Sequence, residues 1–499
     1  MQGSLSNRLL KSGSVQGLHL VLTIVQNIFL LPFFISFWGH EKYGEWLTLY
    51  SIFNLLMALD NGFGQYFSNE FNRLYHENID SARNLLGSSL RVTFISTFAQ
   101  IIIIGVVLLL DLSESSDSLQ YIQKSILPYV LILVLYRMVL GGFKGLLVKT
   151  SFPLGLFHKS AMIGLFEFVL ELFVLIISSF LNLSLYQTAI LFVSIKSGYV
   201  LISFYLIRSW NPLLFPWWKH GDLKTGIKHY RKSLPLIFNF ISEKFSVDGI
   251  NILISSVLGP SVLPLFTTTK TLSSTISKLS SLVFQPLVPE IGRLHVKKRF
   301  GKILDFFKVG WLTTTLLGIL IIPVSFYVND LYDFWLGKQY QLNAQLYLFL
   351  MLSVICFNFG RPITSYFVSI NYFKGLLTLT FLRGVISFGL SYFLILYYGI
   401  LGVGFGMLIS EVVVSILGPI LFYNSMADSQ YKIKAFDIVI GTLQLSLISA
   451  GLYFVMEQHH FTLIWLFSFC ILILNLIQFM RISNDTRNRF FNRFSVKSE

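Results

Sequence analysis

The chain has 499 residues, 54% of them hydrophobic and only 12% charged, with a formal net charge of +14. Soluble globular proteins carry about 25% charged residues, so this composition leaves too little polar surface for a water-soluble fold of this size, and a bilayer is the solvent it fits. Cys356 and Cys470 both lie in apolar runs, which excludes a disulfide framework and a zinc site, and no nucleic-acid motif accompanies the basic excess.

A hydrocarbon core about 30 Å thick takes roughly 20 apolar residues per helix. In chain order, fourteen segments meet that need: 14–37, 43–67, 88–110, 125–147, 160–181, 187–207, 233–257, 262–288, 304–327, 345–370, 376–397, 400–423, 436–456 and 461–480. The expected fold class is therefore all-α integral membrane, with about fourteen transmembrane helices. Arg8 and Lys11 precede a first apolar stretch too long for the h-region of a signal peptide, so no cleavable leader is expected.

Lys and Arg in the loops set the direction. With the N-terminus in the cytoplasm, cytoplasmic segments collect 28 basic residues, Lys144, Lys149 and Lys159 among them, whereas the outer loops hold Lys42, Lys124 and Lys338 alone. Both termini are then cytoplasmic. The cluster from Arg208 to Lys232 and the basic tail read as solvated faces attracted to anionic headgroups.

The chain repeats weakly with an offset of 220 residues: Gly39 with Gly259, Gln65 with Gln285, Glu70 with Glu290, Arg73 with Arg293 and Leu74 with Leu294. The offset equates spans one and two with seven and eight, so both halves enter the membrane in the same direction, as in parallel repeats about an axis along the membrane normal. The expected organisation is an N-lobe at 1–207 (spans one to six), a basic interlobe loop at 208–232 and a C-lobe at 233–425 (spans seven to twelve). Two extra helices at 426–480 and a basic cytoplasmic tail at 481–499 complete it. A substrate site is expected between the lobes.

Polar residues at helical spacing mark candidate cavity walls. Span one carries Ser12, Gln16, His19, Thr23 and Gln26. Span eight carries Thr267, Thr271, Ser274, Lys278, Ser281 and Gln285. Span two offers Asn54, Asn61, Gln65 and Asn69. Span seven offers Asn239, Glu243 and Ser246 on one face and Lys244, Asp248, Asn251 and Ser255 on another. Hydrogen bonding between packed helices is the competing explanation for such residues. Each ionisable group at a helix centre costs about 2.5–3.5 kcal/mol on insertion scales. Lys278, Arg361, Lys196, Arg137 and Lys270 are therefore candidates to bind an anionic headgroup, while Asp60, Glu167 and Glu171 are candidates for ion coupling. Lys244 and Asp248, four apart, are placed to neutralise each other.

The most specific local pattern lies in the first 75 residues: Leu30-Leu31-Pro32, Phe37-Trp38-Gly39, Tyr43-Gly44-Glu45-Trp46 and Leu59-Asp60-Asn61-Gly62-Phe63-Gly64. It resembles the opening of the polysaccharide transporters of the MOP (MATE-like) flippase superfamily, of the Wzx O-antigen type, and the two six-helix lobes extend the resemblance over about residues 10–425. The resemblance implies an inner-membrane flippase for a polyprenyl-diphosphate-linked oligosaccharide, working by alternating access through a cationic cavity to which Lys278, Arg361, Lys196 and Arg137 contribute. It implies as partners the lipid-linked substrate, membrane lipids, and a polysaccharide polymerase with its export machinery. Fourteen spans rather than twelve resemble the lipid II flippases, which keeps that cargo open, as does a multidrug exporter of the same superfamily. A membrane glycosyltransferase or polymerase does not fit, because the outer loops are short and no catalytic constellation or Walker motif is present. No enzyme activity, cofactor or metal is expected.

Overall fold

The computed structural model describes residues 15–109 (apart from Gln16, Gly17, Leu20 and Ile24), 142–284, 288–337, 341–370, 372–458 and 461–483. Among these residues every regular element is a helix, and nine helices are long and apolar enough to cross a membrane. The chain is a multi-pass, all-α membrane protein. Most of the expected span at 125–147 lies outside the described residues. Packing divides the chain into two compact units, Met1–Pro264 and Leu265–Glu499.

In the first unit a π-helical turn, Gln26–Leu30, leads into α1 (Leu31–Glu77), followed by α2 (Ile79–Leu109), the short α3 (Gly142–Lys149), α4 (Phe157–Phe180) and α5 (Leu185–Trp210). Then come α6 (Leu223–Lys244), a second π-helical turn at Phe245–Gly249, and α7 (Ile250–Leu258). Helix α1 is two spans joined at Gly39, whose φ of 73° and ψ of 174° break the helix. Only glycine adopts that conformation without a Cβ penalty. Gly259, its counterpart at the repeat offset, has φ 89° and ψ 155°. The repeat is thus visible in backbone geometry, and each glycine has a π-helical turn upstream of it.

Helix α1 and the α6–α7 segment run antiparallel along a polar seam. Thr48 donates to Ser255 Oγ at 2.7 Å, Asn251 to Ser51 Oγ at 3.0 Å and Asn54 to Asp248 Oδ1 at 3.3 Å; farther along, Tyr66 meets His229 Nδ1 at 3.0 Å. Gly62 lets the two backbones approach, because a Cβ there would collide with the backbone of Ile237. Below the seam Phe63, Phe67, Phe71, Leu86, Leu90, Ile207 and Ile237 form an apolar core. The 208–222 connection is pinned to α2: Arg83 donates to the Leu213 carbonyl at 2.6 Å, and Ser88 Oγ accepts the Asp222 amide at 3.0 Å. The Asp222 carboxylate then caps α6 by accepting the Thr225 amide at 2.7 Å.

The second unit contains α8 (Leu263–Phe284), α9 (Val288–Val296), α10 (Phe300–Phe326), α11 (Val328–Leu336), α12 (Ala344–Ser369) and α13 (Phe373–Tyr398). It ends with α14 (Ile400–Glu411), a π-helical stretch at Val412–Leu417, α15 (Gly418–Met426), α16 (Ala435–Gln458) and α17 (Phe461–Met480). Trp311 anchors α10 on α12: its ring stacks on Phe359 at 5.0 Å, and its Nε1 donates to the Phe359 carbonyl at 3.0 Å. A buried amide cluster fastens α16 and α17 to α10. Thr315 donates to Asn475 Oδ1 at 2.7 Å, and Gln444 donates to the same oxygen at 2.9 Å and to Gln478 at 3.1 Å.

Candidate functional site

Helix α4 places Ser160, Gly164, Glu167 and Glu171 on one face, at steps of three and four. That face borders a cavity of about 470 Å³ inside the first unit, completed by Tyr50, Asn54 and Asn61 of α1, Lys144 and Lys149 of α3, Lys196 of α5 and Lys244 of α6. The charged groups form a network. Lys144 contacts Glu167, and Lys196 contacts Glu171 while lying 3.3 Å from Glu167 Oε1. Tyr50 donates to the other Glu171 oxygen at 3.2 Å. Lys244 pairs with Asp248 at 3.4 Å, the neutralisation their spacing suggested.

Two glycines make room for charge. A Cβ on Gly64 would strike Lys149 Nζ, and one on Gly142 would lie 3.2 Å from Asp60 Oδ2. Three ammonium groups (Lys144, Lys196, Lys244) are thus paired with three carboxylates (Glu167, Glu171, Asp248), a charge-balanced set, and Lys149 lines the same cavity. Such a network is chemically exchangeable. An incoming anion can take an ammonium from its carboxylate, and the released carboxylate can take a proton or a cation.

Of the sequence-derived candidates, Lys196, Glu167, Glu171 and Asn61 line this cavity, while Asp60 lies beside Gly142 of α3. Gln65 is exposed on α1, and Asn239 is half-buried on α6 but does not line this cavity. His19 is exposed, with its ring 5.1 Å from Phe168, and its carbonyl accepts the Thr23 hydroxyl at 2.8 Å. Gln16, Arg137 and the side chain of Lys278 lie outside the described residues. Lys144 corrects the sequence-based topology, which counts it among loop cations: it is 8% exposed and paired with Glu167. Gly142 beside it packs close to α2, where a Cβ would meet the Thr93 methyl. Tyr50 and Lys149 were also missed.

In the second unit Arg361 donates to the Ser277 carbonyl at 2.9 Å and to Asn358 Oδ1 at 3.3 Å. Its guanidinium lies 5.4 Å from the Phe357 ring, and that of Arg383 lies 5.2 Å from the same ring. Arg383 also pairs with Glu411 at 2.9 Å, so it is held within the helices rather than reaching for a span end. Lys270 is half-buried with its Nζ 5.3 Å from the Phe266 ring, and Ser274 bonds locally to the Thr271 carbonyl at 3.3 Å. The Glu-x-x-Arg group of the repeat is formed at the end of α1, where Arg73 meets Glu70 at 2.8 Å and Glu77 at 3.0 Å. The hydrogen bond from Arg73 holds the Glu70 carboxyl below its ordinary range. The side chain of its counterpart Glu290 lies outside the described residues.

The fold is similar to that of several solved structures of MOP-superfamily proteins, at low sequence identity. An inward-facing multidrug-resistance MATE-family transporter of that superfamily superposes with a TM-score of 0.63 at 16% identity, covering 86% of this chain and 96% of that one. The lipid II flippase MurJ, in its inward closed conformation, superposes with a TM-score of 0.62 at 14% identity, covering 95% of this chain and 99% of that one. An outward-facing MATE-family transporter gives 0.51 at 17% identity, over 89% of this chain and 95% of that one. No family model and no curated protein matches the sequence.

Proposed function

We propose that the chain is a flippase that carries a polyprenyl-diphosphate-linked oligosaccharide from the cytoplasmic to the outer leaflet of the inner membrane by alternating access, with both termini cytoplasmic. The lysine–carboxylate network around the cavity of the first unit carries this reading. A diphosphate brings two or more negative charges, which are costly to place in hydrocarbon, and ammonium groups already held inside the membrane can receive them. Displaced from Lys144 and Lys196, Glu167 and Glu171 become sites for proton or sodium uptake, and Asp60 is a further such site. Arg361, Lys270, Lys278 and Arg137 supply further cations for the headgroup, and Asn61, Gln65, Asn239, Ser274, Gln16, His19 and Thr23 supply hydrogen bonds to the sugar. The fold likeness to the lipid II flippase MurJ supports a lipid-linked cargo. Lipid II itself is the nearest alternative within this class.

The test is charge reversal. Lys149→Glu and Arg361→Glu, expressed and inserted at normal levels, are expected to abolish surface polysaccharide in cells that depend on this chain, and to abolish flipping of a short-chain polyprenyl-diphosphate oligosaccharide in vesicles. Normal export from both variants overturns the assignment. Unchanged pH and sodium dependence in Asp60→Asn, Glu167→Gln and Glu171→Gln removes the coupling role.

A further inference from the structure

The second unit holds another charged cavity, of about 240 Å³, which the proposed cargo pathway does not use. It lies among α10, the turn at 429–434 and the adjoining ends of α16 and α17. Lys308, Lys432, Lys434 and Arg481 line it, with Asp437 and the ring of Trp311. Four cations face one lining carboxylate, unlike the balanced network of the first unit.

The cradle is preformed. Asn424 clamps the turn from its side chain, accepting the Ile433 amide at 2.8 Å and donating to the Ile433 carbonyl at 3.4 Å, and the Tyr423 hydroxyl donates to the Tyr431 carbonyl at 3.2 Å. Ile433 is buried in the apolar core, and Lys432 has extended backbone, φ −67° and ψ 148°. Lys432 and Lys434 flank Ile433, and all three line the pocket. Both lysines are exposed. Arg481 is fixed by Asp437, 3.0 Å from its Nε, and by the Phe436 ring 4.4 Å from its guanidinium. Lys308 is tethered to the Arg481 carbonyl at 3.1 Å.

An apolar track leaves the rim of this pocket. Phe436, Val439 and Leu443 on α16 are 49%, 53% and 49% exposed and follow one another at helical spacing. A phosphate held by the cations and a hydrocarbon chain on this track are the two halves of one amphiphile.

We propose that this pocket binds the phosphate of an anionic membrane lipid, with its acyl chain along Phe436, Val439 and Leu443. The site is independent of what the chain transports.

The test uses the full chain in phosphatidylcholine nanodiscs doped with phosphatidylglycerol, with bound lipid counted by native mass spectrometry. Wild type is expected to retain phosphatidylglycerol. Lys432→Ala/Lys434→Ala is expected to weaken retention about 30-fold, at about fivefold per basic group near a charged headgroup. Lys224→Ala/Lys228→Ala, on the exposed basic turn of α6 in the first unit, is expected to leave that retention in place. Phe436→Ser/Leu443→Ser is expected to weaken phosphatidylglycerol binding while leaving competition by glycerol phosphate unchanged. Equal losses from both lysine pairs, or no loss from the first, overturn the site. Inorganic phosphate or glycerol phosphate binding as tightly as the lipid overturns its assignment to a lipid.

Discussion

Lys196→Met probes the charge network directly. Lys196 is 5% exposed, and methionine keeps the unbranched stem while deleting the ammonium. At its 3.3 Å separation from Glu167 Oε1, Coulomb attraction amounts to about 5 kcal/mol at an effective dielectric constant of 20. The closer contact with Glu171 adds at least as much, and desolvation of the three ions takes back several kcal/mol. The substitution therefore measures the stranded carboxylates rather than the net worth of the pair. Glu167 keeps Lys144, but among the described residues Glu171 keeps only the Tyr50 hydroxyl. A buried charge left in this way costs about 3–5 kcal/mol. Denaturant or thermal unfolding of the purified protein is the assay, run as a cycle with Glu171→Gln and the double variant. The double variant is expected to lose at least about 1.5 kcal/mol less than the sum of the singles. Additivity within about 0.5 kcal/mol refutes the coupling and with it the reading of this network as one electrostatic unit.

Three further outcomes are expected from unfolding measurements. Gly39→Ala and Gly259→Ala each meet no heavy atom closer than 3.9 Å, so their loss of about 1–2 kcal/mol comes from backbone strain alone; no loss at either position contradicts the positive-φ breaks. Gly62→Ala drives a Cβ into the backbone of Ile237 and is expected to cost about 1–3 kcal/mol, whereas Gly145→Ala, with nothing within 4 Å, is expected to be neutral or stabilising. Burial lowers the pKa of His229 from its ordinary 6.5, against the opposing pull of Glu70. The unfolded chain then binds the extra proton first, so stability falls as the pH drops below 6.5 toward the lower folded value. His229→Gln is expected to flatten that slope, and an unchanged slope assigns it to other groups.

Several of these features are legible without coordinates. Fourteen apolar stretches, the glycine pair at an offset of 220 and the loop asymmetry in Lys and Arg led to a two-part helical membrane protein, and the φ values of Gly39 and Gly259 agree with that spacing. Polarity within spans was legible too, but its use was ambiguous. Asn54, Asp248, Asn251 and Ser255 looked alike as cavity or packing residues, and the structure joins all four to α1–α7 hydrogen bonds. Lys144 was misplaced because a charge beside glycines reads as a loop when its partner is unknown.

Hydropathy, helical periodicity and the conformational needs of glycine act over a few residues, so the sequence by itself determined that the chain is a membrane-embedded helical protein and where its first helix breaks. Only the tertiary structure decided which charges meet: Lys144 with Glu167 across 23 positions, Lys196 with Glu171 across 25, and Arg481 with Asp437 across 44. An ion pair inside a bilayer depends on which helices become neighbours and on their rotation about their axes, and both are settled by packing of the whole unit.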